Sequence, residues 1–302
     1  MKTLALIFLF IMSFGCAQVQ PLHSKAIEKD FEFKVLKKEL QPGKVSFIEF
    51  HIPQDFKSHT LYCPVIRDNK KVVKEIPLAL EEGMAKTFIA ETYFSDLKAF
   101  TCYIQYKNKE ETVLAFDIKP FPYKSEKLNV AMSKVVLSPA DQKRVEKEWL
   151  ITSQLYKNSA KEFLFDEPFS APLDSFLTSI YGNKRLFNNK KTSQHLGNDF
   201  RAKVGLPIPV ANKGKVIYVG NLFYTGNVVI VDHGMNIFSN YAHLSRIDVK
   251  LGDELEKGQI VGLAGATGRV SGPHLHWGVK INDEWVDGFS LVKASEELFK
   301  NK

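Results

Sequence analysis

Histidines provide most of the chemistry that this sequence offers. Of its eight histidines, five lie in the last third of the chain or just before it: His195, His233, His243, His274 and His276. In residues 195–199, His195 and Asp199 flank a glycine that permits a tight backbone course. Neutral imidazole nitrogen and carboxylate oxygen are both good Zn²⁺ donors, at about 2.0–2.2 Å. Alone, this motif indicates a metal only weakly, because any His and Asp four residues apart would match it.

Two further histidines alternate near the end of the chain. On a strand, side chains at i and i+2 point to the same face, so His274 and His276 project together while Leu275 and Trp277 face the other side. Two imidazoles on one face suit a metal or an acid–base site. The alternative is a polar, solvent-facing stripe above a buried face. His243 directly follows a strand-like segment and would be unremarkable by itself, whereas we expect His233 to mark a turn without chemistry.

Together, in order and spacing, these motifs resemble the lysostaphin-type, LytM-like zinc endopeptidases of bacterial cell walls. The resemblance runs through residues 169–287 and rests on short motifs at 178–182, 226–227, 252–253, 258–259, 265–268 and 271–274, and on Arg185. It implies that His195, Asp199 and His276 bind one Zn²⁺ per chain. It also implies that His243 and His274 are catalytic histidines that do not bind the metal. We expect Arg185 either to approach the substrate or to make a hydrogen bond that stabilises a loop.

The resemblance also implies an activity, which is hydrolysis of peptide stems or cross-bridges of bacterial peptidoglycan. Three protein ligands leave one zinc position open, as in catalytic sites. A different class of function is a non-catalytic LytM-like regulator that binds and activates wall amidases, but such regulators typically lack zinc ligands. A metal-binding β domain without hydrolysis would leave His243 and His274 without a role.

The periodicity of the chain predicts the elements that position these residues. Short alternating segments in residues 31–118, separated by turn signals such as 41–43, predict an N-terminal antiparallel β-sandwich-like domain. Ser138 as N-cap, Pro139 and Asp141 predict a linker helix over about 139–156. Closely spaced glycines after Leu164 favour a second all-β domain. We therefore predict a mainly β protein whose C-terminal, LytM-like antiparallel domain contains a zinc groove.

The domain organisation follows from these patterns. We predict five segments, which are a signal peptide (1–17), an N-terminal β-rich domain (26–123), a helical linker (124–163), the LytM-like zinc peptidase domain (164–292) and a C-terminal tail (293–302). The N-terminal domain is large enough to cover a groove on its neighbour, so we expect intramolecular occlusion of the zinc site. Wall targeting or partner docking is the competing role for that domain.

The first residues predict export. Lys2 precedes an apolar run at residues 4–12, and small residues follow at 15–17, which is the order of a secretory signal. Cys16 is either the acylated cysteine of a lipoprotein or is removed by cleavage after Ala17. We expect the bacterial periplasm or cell envelope, or secretion, with membrane attachment only if Cys16 is lipidated.

Composition limits the partners. With 302 residues, 44% of them hydrophobic and 25% charged, the chain is not a disordered one. The net charge of +7 suits an anionic partner or a lysine-rich solvated surface, and we expect peptidoglycan and no nucleic acid. In an oxidising compartment Cys63 and Cys102 would pair across the two sheets of the first domain, and two buried free thiols are the alternative.

Overall fold

The N-terminal part of the protein consists of two β-sheets. The computed structural model describes residues 31–67 and 70–300, so the predicted signal peptide and Cys16 lie outside the described residues. The strands are β1 (Leu36–Leu40), β2 (Val45–His51), β3 (Thr60–Arg67), β4 (Lys70–Pro77), β5 (Ala79–Glu81), β6 (Met84–Ala90), β7 (Ala99–Tyr106) and β8 (Lys109–Ile118). One sheet has the order β1-β8-β7-β3-β4 and the other β2-β6-β5. Only β1 and β8 run parallel among these pairs.

The smaller sheet is buried on both faces. Successive side chains of a strand point to opposite faces. On β2, Ile48 packs with the five-stranded sheet, whereas Phe47 packs into the core of the C-terminal part. On β6, Ile89 and Phe88 divide in the same way. The N-terminal residues are therefore part of two hydrophobic cores, and one of these belongs to the sheet that holds the candidate site.

Cys63 and Cys102 form a disulfide bond, as the sequence predicts. The prediction that the bond crosses between two sheets is wrong. Cys63 lies on β3 and Cys102 on β7, which are neighbours in the five-stranded sheet, with Tyr62 opposite Tyr103. Adjacent strands bring opposing Cβ atoms to about 4.5–5.5 Å, which is close to the reach of a disulfide.

The connecting segment contains a helix and a strand. Helix α1 (Pro139–Leu155) begins where the sequence predicts, with the Ser138 side chain accepting a hydrogen bond from the Asp141 backbone N–H at 3.1 Å. Before it come β9 (Ser125–Leu128) and a short 3-10 helix (Met132–Lys134). No sequence pattern predicts β9. It pairs in parallel with a strand of the C-terminal part.

The C-terminal part is built around an eight-stranded sheet. Its strands are β10 (Leu177–Ser179), β11 (Lys184–Phe187), β12 (Lys191–Gln194), β13 (Asn198–Arg201), β14 (Pro207–Pro209), β15 (Gly214–Leu222), β16 (Gly226–Asp232), β17 (Ile237–Leu244), β18 (Arg246–Ile247), β19 (Glu254–Leu255), β20 (Ile260–Leu263), β21 (His274–Ile281) and β22 (Glu284–Val286). The large sheet has the order β10-β13-β21-β17-β16-β15-β19, with β22 on β21. Two small sheets, β12-β11-β9 and β14-β20-β18, flank it. The mainly β prediction is confirmed.

A second helix closes the C-terminal core. Helix α2 (Gly288–Leu298) begins at the N-cap Asp287, whose carboxylate accepts from the Phe289 N–H. It buries Leu291 and Leu298 against the large sheet and includes residues 293–298, which the sequence analysis assigns to the tail. In the described part of the chain, no helix has the length and hydropathy needed to cross a membrane.

Candidate metal centre

Asp199 and His276 face each other across two paired strands. Strand β13 runs antiparallel to β21 and places the two residues directly opposite one another. The distance from His276 Nδ1 to Asp199 Oδ1 is 2.8 Å. As predicted, Leu275 and Trp277 of β21 point to the other face, where both are fully buried. The apolar face of the strand thus fixes the direction of its histidines.

His195 supplies the third donor and follows β12 in the chain. Its Nδ1 lies 2.8 Å from the carbonyl oxygen of Ile180, which can only accept a hydrogen bond, so Nδ1 carries the proton. Its Nε2 is consequently a bare lone pair, 3.0 Å from Asp199 Oδ1 and 3.1 Å from His276 Nδ1. A lone pair facing a carboxylate oxygen at this distance is repulsive unless a cation lies between them. The donor chemistry therefore fits a metal ion.

The spacing of the three donors also fits zinc. They lie within 4.8 Å of one another. A tetrahedral ion with bonds of about 2.0–2.1 Å would hold them about 3.3–3.4 Å apart, which is near the observed separations. The side chains of His195, Asp199 and His276 are 1%, 7% and 17% exposed, so the site opens to solvent on the His276 side.

Gly197 permits this close approach. A Cβ atom at this position would lie 2.6 Å from the His276 ring and from the Trp277 carbonyl oxygen. The glycine between His195 and Asp199 is thus a packing requirement of the site.

Arg185 lies behind the carboxylate of Asp199. Its Nη2 donates to Asp199 Oδ2 at 2.5 Å, and its Nε donates to Glu126 Oε1 at 2.6 Å. The arginine therefore holds a candidate metal ligand and does so together with a residue of β9. Glu126 lies outside every motif of the sequence analysis, and no sequence signal identifies it.

The rings of His243 and His274 lie beside the three donors. Their centroids are 4.7 Å apart, and that of His243 is 5.9 Å from that of His276. Ala242 pairs with His276, so strand alternation would turn His243 to the opposite face. His243 instead adopts a left-handed conformation, with φ of 63°, which redirects its side chain. Such backbone strain in a non-glycine residue is characteristic of functional sites.

Hydrogen bonds orient both of these rings. His243 Nδ1 donates to the Thr267 carbonyl at 2.8 Å, and His274 Nδ1 donates to the Gly272 carbonyl at 2.8 Å. In each ring Nε2 is left as the basic nitrogen, and that of His274 lies 3.7 Å from Asp199 Oδ1.

Burial determines the protonation of these groups. It lowers the pKa of His195 to about 4 and that of His243 to about 3, and it also lowers the pKa of His274. For Asp199, burial raises the carboxyl pKa, but the hydrogen bond with His276 Nδ1 favours the carboxylate, and that pKa lies well below its usual range. Neutral imidazoles around a carboxylate are the protonation states that metal binding requires.

His233 lies in a separate hydrogen-bond network. Its Nδ1 is 2.7 Å from the Lys213 carbonyl and its Nε2 is 2.7 Å from Ser239 Oγ. It is not one of the three clustered donors.

Aromatic side chains join the loops around the centre. The Arg269 guanidinium lies between the rings of Phe187 and Tyr224, 4.4 and 4.3 Å from their centroids. The β11–β12 hairpin is thereby held against the loops that precede β16 and β21. These segments carry or flank the histidines of the site.

Fold and site together define a β protein with a His–Asp–His cluster that could hold a metal ion, flanked by two neutral histidines. Residues 193–288 match the model of peptidase family M23. The chain therefore contains an M23 peptidase domain, and the resemblance to lysostaphin-type, LytM-like peptidases is confirmed.

Similar proteins of known name come from bacteria. The chain is 40% identical over 109 residues to the peptidoglycan DD-endopeptidase ShyA of Vibrio cholerae, a match that covers 35% of this chain and 25% of ShyA. ShyB of the same organism is 42% identical over 107 residues, or 35% of this chain and 24% of ShyB. The chain thus matches about a quarter of the length of these relatives.

A solved structure extends the similarity to most of the fold. It is described as a peptidase M23 from Pseudomonas aeruginosa, and it has a TM-score of 0.62 and 26% identity. The similarity covers 84% of this chain and 95% of that one. It therefore includes much of the chain that precedes the M23 segment.

Proposed function

We propose that this protein is a zinc-dependent endopeptidase that hydrolyses peptide stems or cross-bridges of bacterial peptidoglycan. The observation that carries the proposal is the convergence of His195, Asp199 and His276 within 4.8 Å, with two further imidazoles beside them. His195, Asp199 and His276 are the proposed ligands of one Zn²⁺. His243 and His274 are the proposed catalytic residues.

The chain's own groups account for the proton transfers. Zinc bound here would lower the pKa of a water molecule to about 7 and polarise a peptide carbonyl. His243 and His274 are neutral at pH 7 because burial lowers their pKa. Either Nε2 can accept a proton from the attacking water, and the imidazolium formed can protonate the leaving amine. The carbonyls of Thr267 and Gly272 hold the two rings in the tautomer that leaves Nε2 basic.

The substrate is inferred from two lines of support. ShyA and ShyB are named peptidoglycan DD-endopeptidases, and both match this chain across the M23 segment. A net charge of +7 suits the polyanionic envelope. With the export predicted from the first residues, these features favour action in the bacterial periplasm or envelope.

The non-catalytic regulator is the less favoured function. Regulators of this type are expected to lack zinc ligands, whereas all three positions here have metal-binding side chains that meet in space. The two additional histidines would also have no role in a regulator.

We also propose that the chain before Leu164 restricts access to the centre in the resting protein. Its support is the tight packing of the N-terminal part on the C-terminal part. Lys44 Nζ lies 2.7 Å from Asp287 Oδ2, and the Asp287 N–H donates to the Gly43 carbonyl at 2.8 Å. Asp287 also accepts from Asn198, the neighbour of Asp199.

The experiment that tests the activity uses the purified full chain and isolated peptidoglycan. Incubation with and without a chelator, followed by mass spectrometry, identifies new peptide termini. We expect cleavage that the chelator abolishes. His274→Ala is the matched control, in which we expect cleavage to be lost. Intact peptidoglycan after incubation with the zinc-loaded chain would contradict the proposed activity.

A further inference from the structure

Glu126 connects a strand outside the M23 segment to the candidate metal centre. Its Oε1 accepts a hydrogen bond from Arg185 Nε at 2.6 Å and another from Ser179 Oγ at 2.8 Å. Its Oε2 accepts from Asn183 Nδ2 at 3.4 Å. One carboxylate thus holds three side chains of the segment that precedes His195.

Two of these side chains touch proposed zinc ligands. Arg185 Nη2 donates to Asp199 Oδ2, so that Oδ1 of the same carboxylate is directed at the other two donors. Ser179 Oγ lies 3.0 Å from His195 Nδ1. The contacts of Glu126 therefore reach two of the three ligands, each through one intervening side chain.

Backbone pairing fixes the position of Glu126. Strand β9 pairs in parallel with β11, and Glu126 lies opposite Arg185 in the register. Its neighbours Ser125 and Lys127 are exposed, whereas the Glu126 side chain is 20% exposed. The Arg185 side chain is 15% exposed, and the Arg185 guanidinium lies between the two carboxylates. In this partly desolvated setting, charge-assisted hydrogen bonds are short and strongly directional.

We propose that Glu126 is a positioning residue for the metal centre, acting through Arg185 on Asp199 and through Ser179 on His195. The inference rests on the proposed function for the identity of the metal. Partners that orient ligands commonly contribute about 10–100-fold to metal affinity or activity. Glu126, Ser179 and Arg185 all precede residue 193, so the centre needs chain outside the matched segment.

The test compares zinc affinity in full-length variants. Glu126→Ala removes all three contacts, Glu126→Gln keeps an acceptor oxygen without the charge, and Lys127→Ala is the control on the exposed face of the same strand. Competition with a chromogenic chelator measures zinc affinity, and visible absorption of the Co²⁺-substituted protein reports ligand geometry. Circular dichroism and thermal unfolding of each variant establish that it is folded.

We expect zinc affinity to fall about 10–100-fold in Glu126→Ala, with an altered Co²⁺ spectrum and wild-type folding. The zinc affinity of Glu126→Gln should lie between those of Glu126→Ala and wild type. If Glu126→Ala fails to fold, Glu126→Gln provides the test. Lys127→Ala should have the zinc affinity and the Co²⁺ spectrum of wild type.

Two negative results have different meanings. Wild-type zinc affinity and Co²⁺ spectrum in a folded Glu126 variant would overturn the positioning role and leave the proposed function intact. A wild-type chain that takes up no zinc would overturn both.

Discussion

Asp199 and His276 occupy directly opposed positions on two antiparallel strands, and His276 Nδ1 lies 2.8 Å from Asp199 Oδ1. Paired strands hold opposing side chains at a nearly fixed separation, so two of the three proposed ligands are positioned by backbone hydrogen bonds. His195 reaches the same point from outside the sheet. Its orientation depends on the Ile180 carbonyl.

Loss of any proposed ligand should release the metal. The purified protein should contain about one zinc per chain. Alanine at His195, Asp199 or His276 should sharply reduce the zinc content, because it removes one of the three protein–metal bonds. Metal analysis by mass spectrometry measures the content. His51→Ala, which removes an exposed imidazole on β2, is the control and should retain zinc. Full zinc content in His276→Ala would contradict the assignment.

The two remaining histidines should separate catalysis from metal binding. His243→Ala and His274→Ala should retain zinc and fold, but should lose about 10²-fold or more in rate, the usual effect of removing a general acid–base group. Zinc content and peptide hydrolysis are measured on the same preparations. If His274→Ala loses metal while His276→Ala keeps it, the roles of these two residues are exchanged.

The disulfide should contribute substantially to stability. Cys63 and Cys102 are 39 positions apart, and both are fully buried. A loop of this size corresponds to about 3–4 kcal/mol in the chain-entropy model. The Cys63→Ala/Cys102→Ala double variant should therefore unfold at lower urea concentration than wild type. Peptide mapping without reductant should recover the linked peptides, and two free thiols would contradict the bond.

His233 should make stability depend on pH. Burial lowers its pKa to about 4, whereas the unfolded value is about 6.5. The unfolded state binds the proton more readily between these values, so this contribution is complete above pH 6.5 and is lost as pH falls towards 4. At pH 5 the loss is about 2 kcal/mol.

Urea unfolding of metal-free wild type and His233→Gln at pH 7.5 and pH 5 measures this contribution. The loss of stability on acidification should be smaller in the variant, because it lacks the His233 contribution. The other histidines contribute equally to both proteins. Equal losses would contradict the assignment.

Weakening the contact between the two parts of the chain should increase activity if the N-terminal part restricts access. Lys44→Ala removes the ion pair with Asp287. The two side chains are only 23% and 13% exposed, and such a pair is worth about 1 kcal/mol, so the rate on a short soluble peptide should rise about fivefold. Lys37→Ala, at an exposed position on β1, is the control. An unchanged rate in Lys44→Ala would count against occlusion and favour wall targeting or docking.

A simple truncation at Leu164 would not test occlusion cleanly. It would expose the face of the C-terminal core that Phe47 and Phe88 cover, and it would remove Glu126 from Arg185. A point change in the full chain avoids both effects.

Local sequence was sufficient for features that depend on near neighbours. Strand alternation places His274 and His276 on one face, because the buried Leu275 and Trp277 fix the other. The Ser138 cap and Pro139 define the start of α1, because capping involves only the first turn. The zinc ligand set and catalytic histidines were predicted from motif resemblance, and their assigned roles stay predictions.

Only the tertiary structure decided the features that depend on distant segments. Pairing of β9 with β11 brings Glu126 to Arg185, 59 residues later, and no local pattern encodes that register. The left-handed His243 departs from the alternation that its strand predicts. Cys63 and Cys102 pair within one sheet because strand order, which sequence periodicity leaves open, makes β3 and β7 neighbours. Periodicity specifies which face of a strand is buried, whereas the choice of partner depends on the packing of the whole chain.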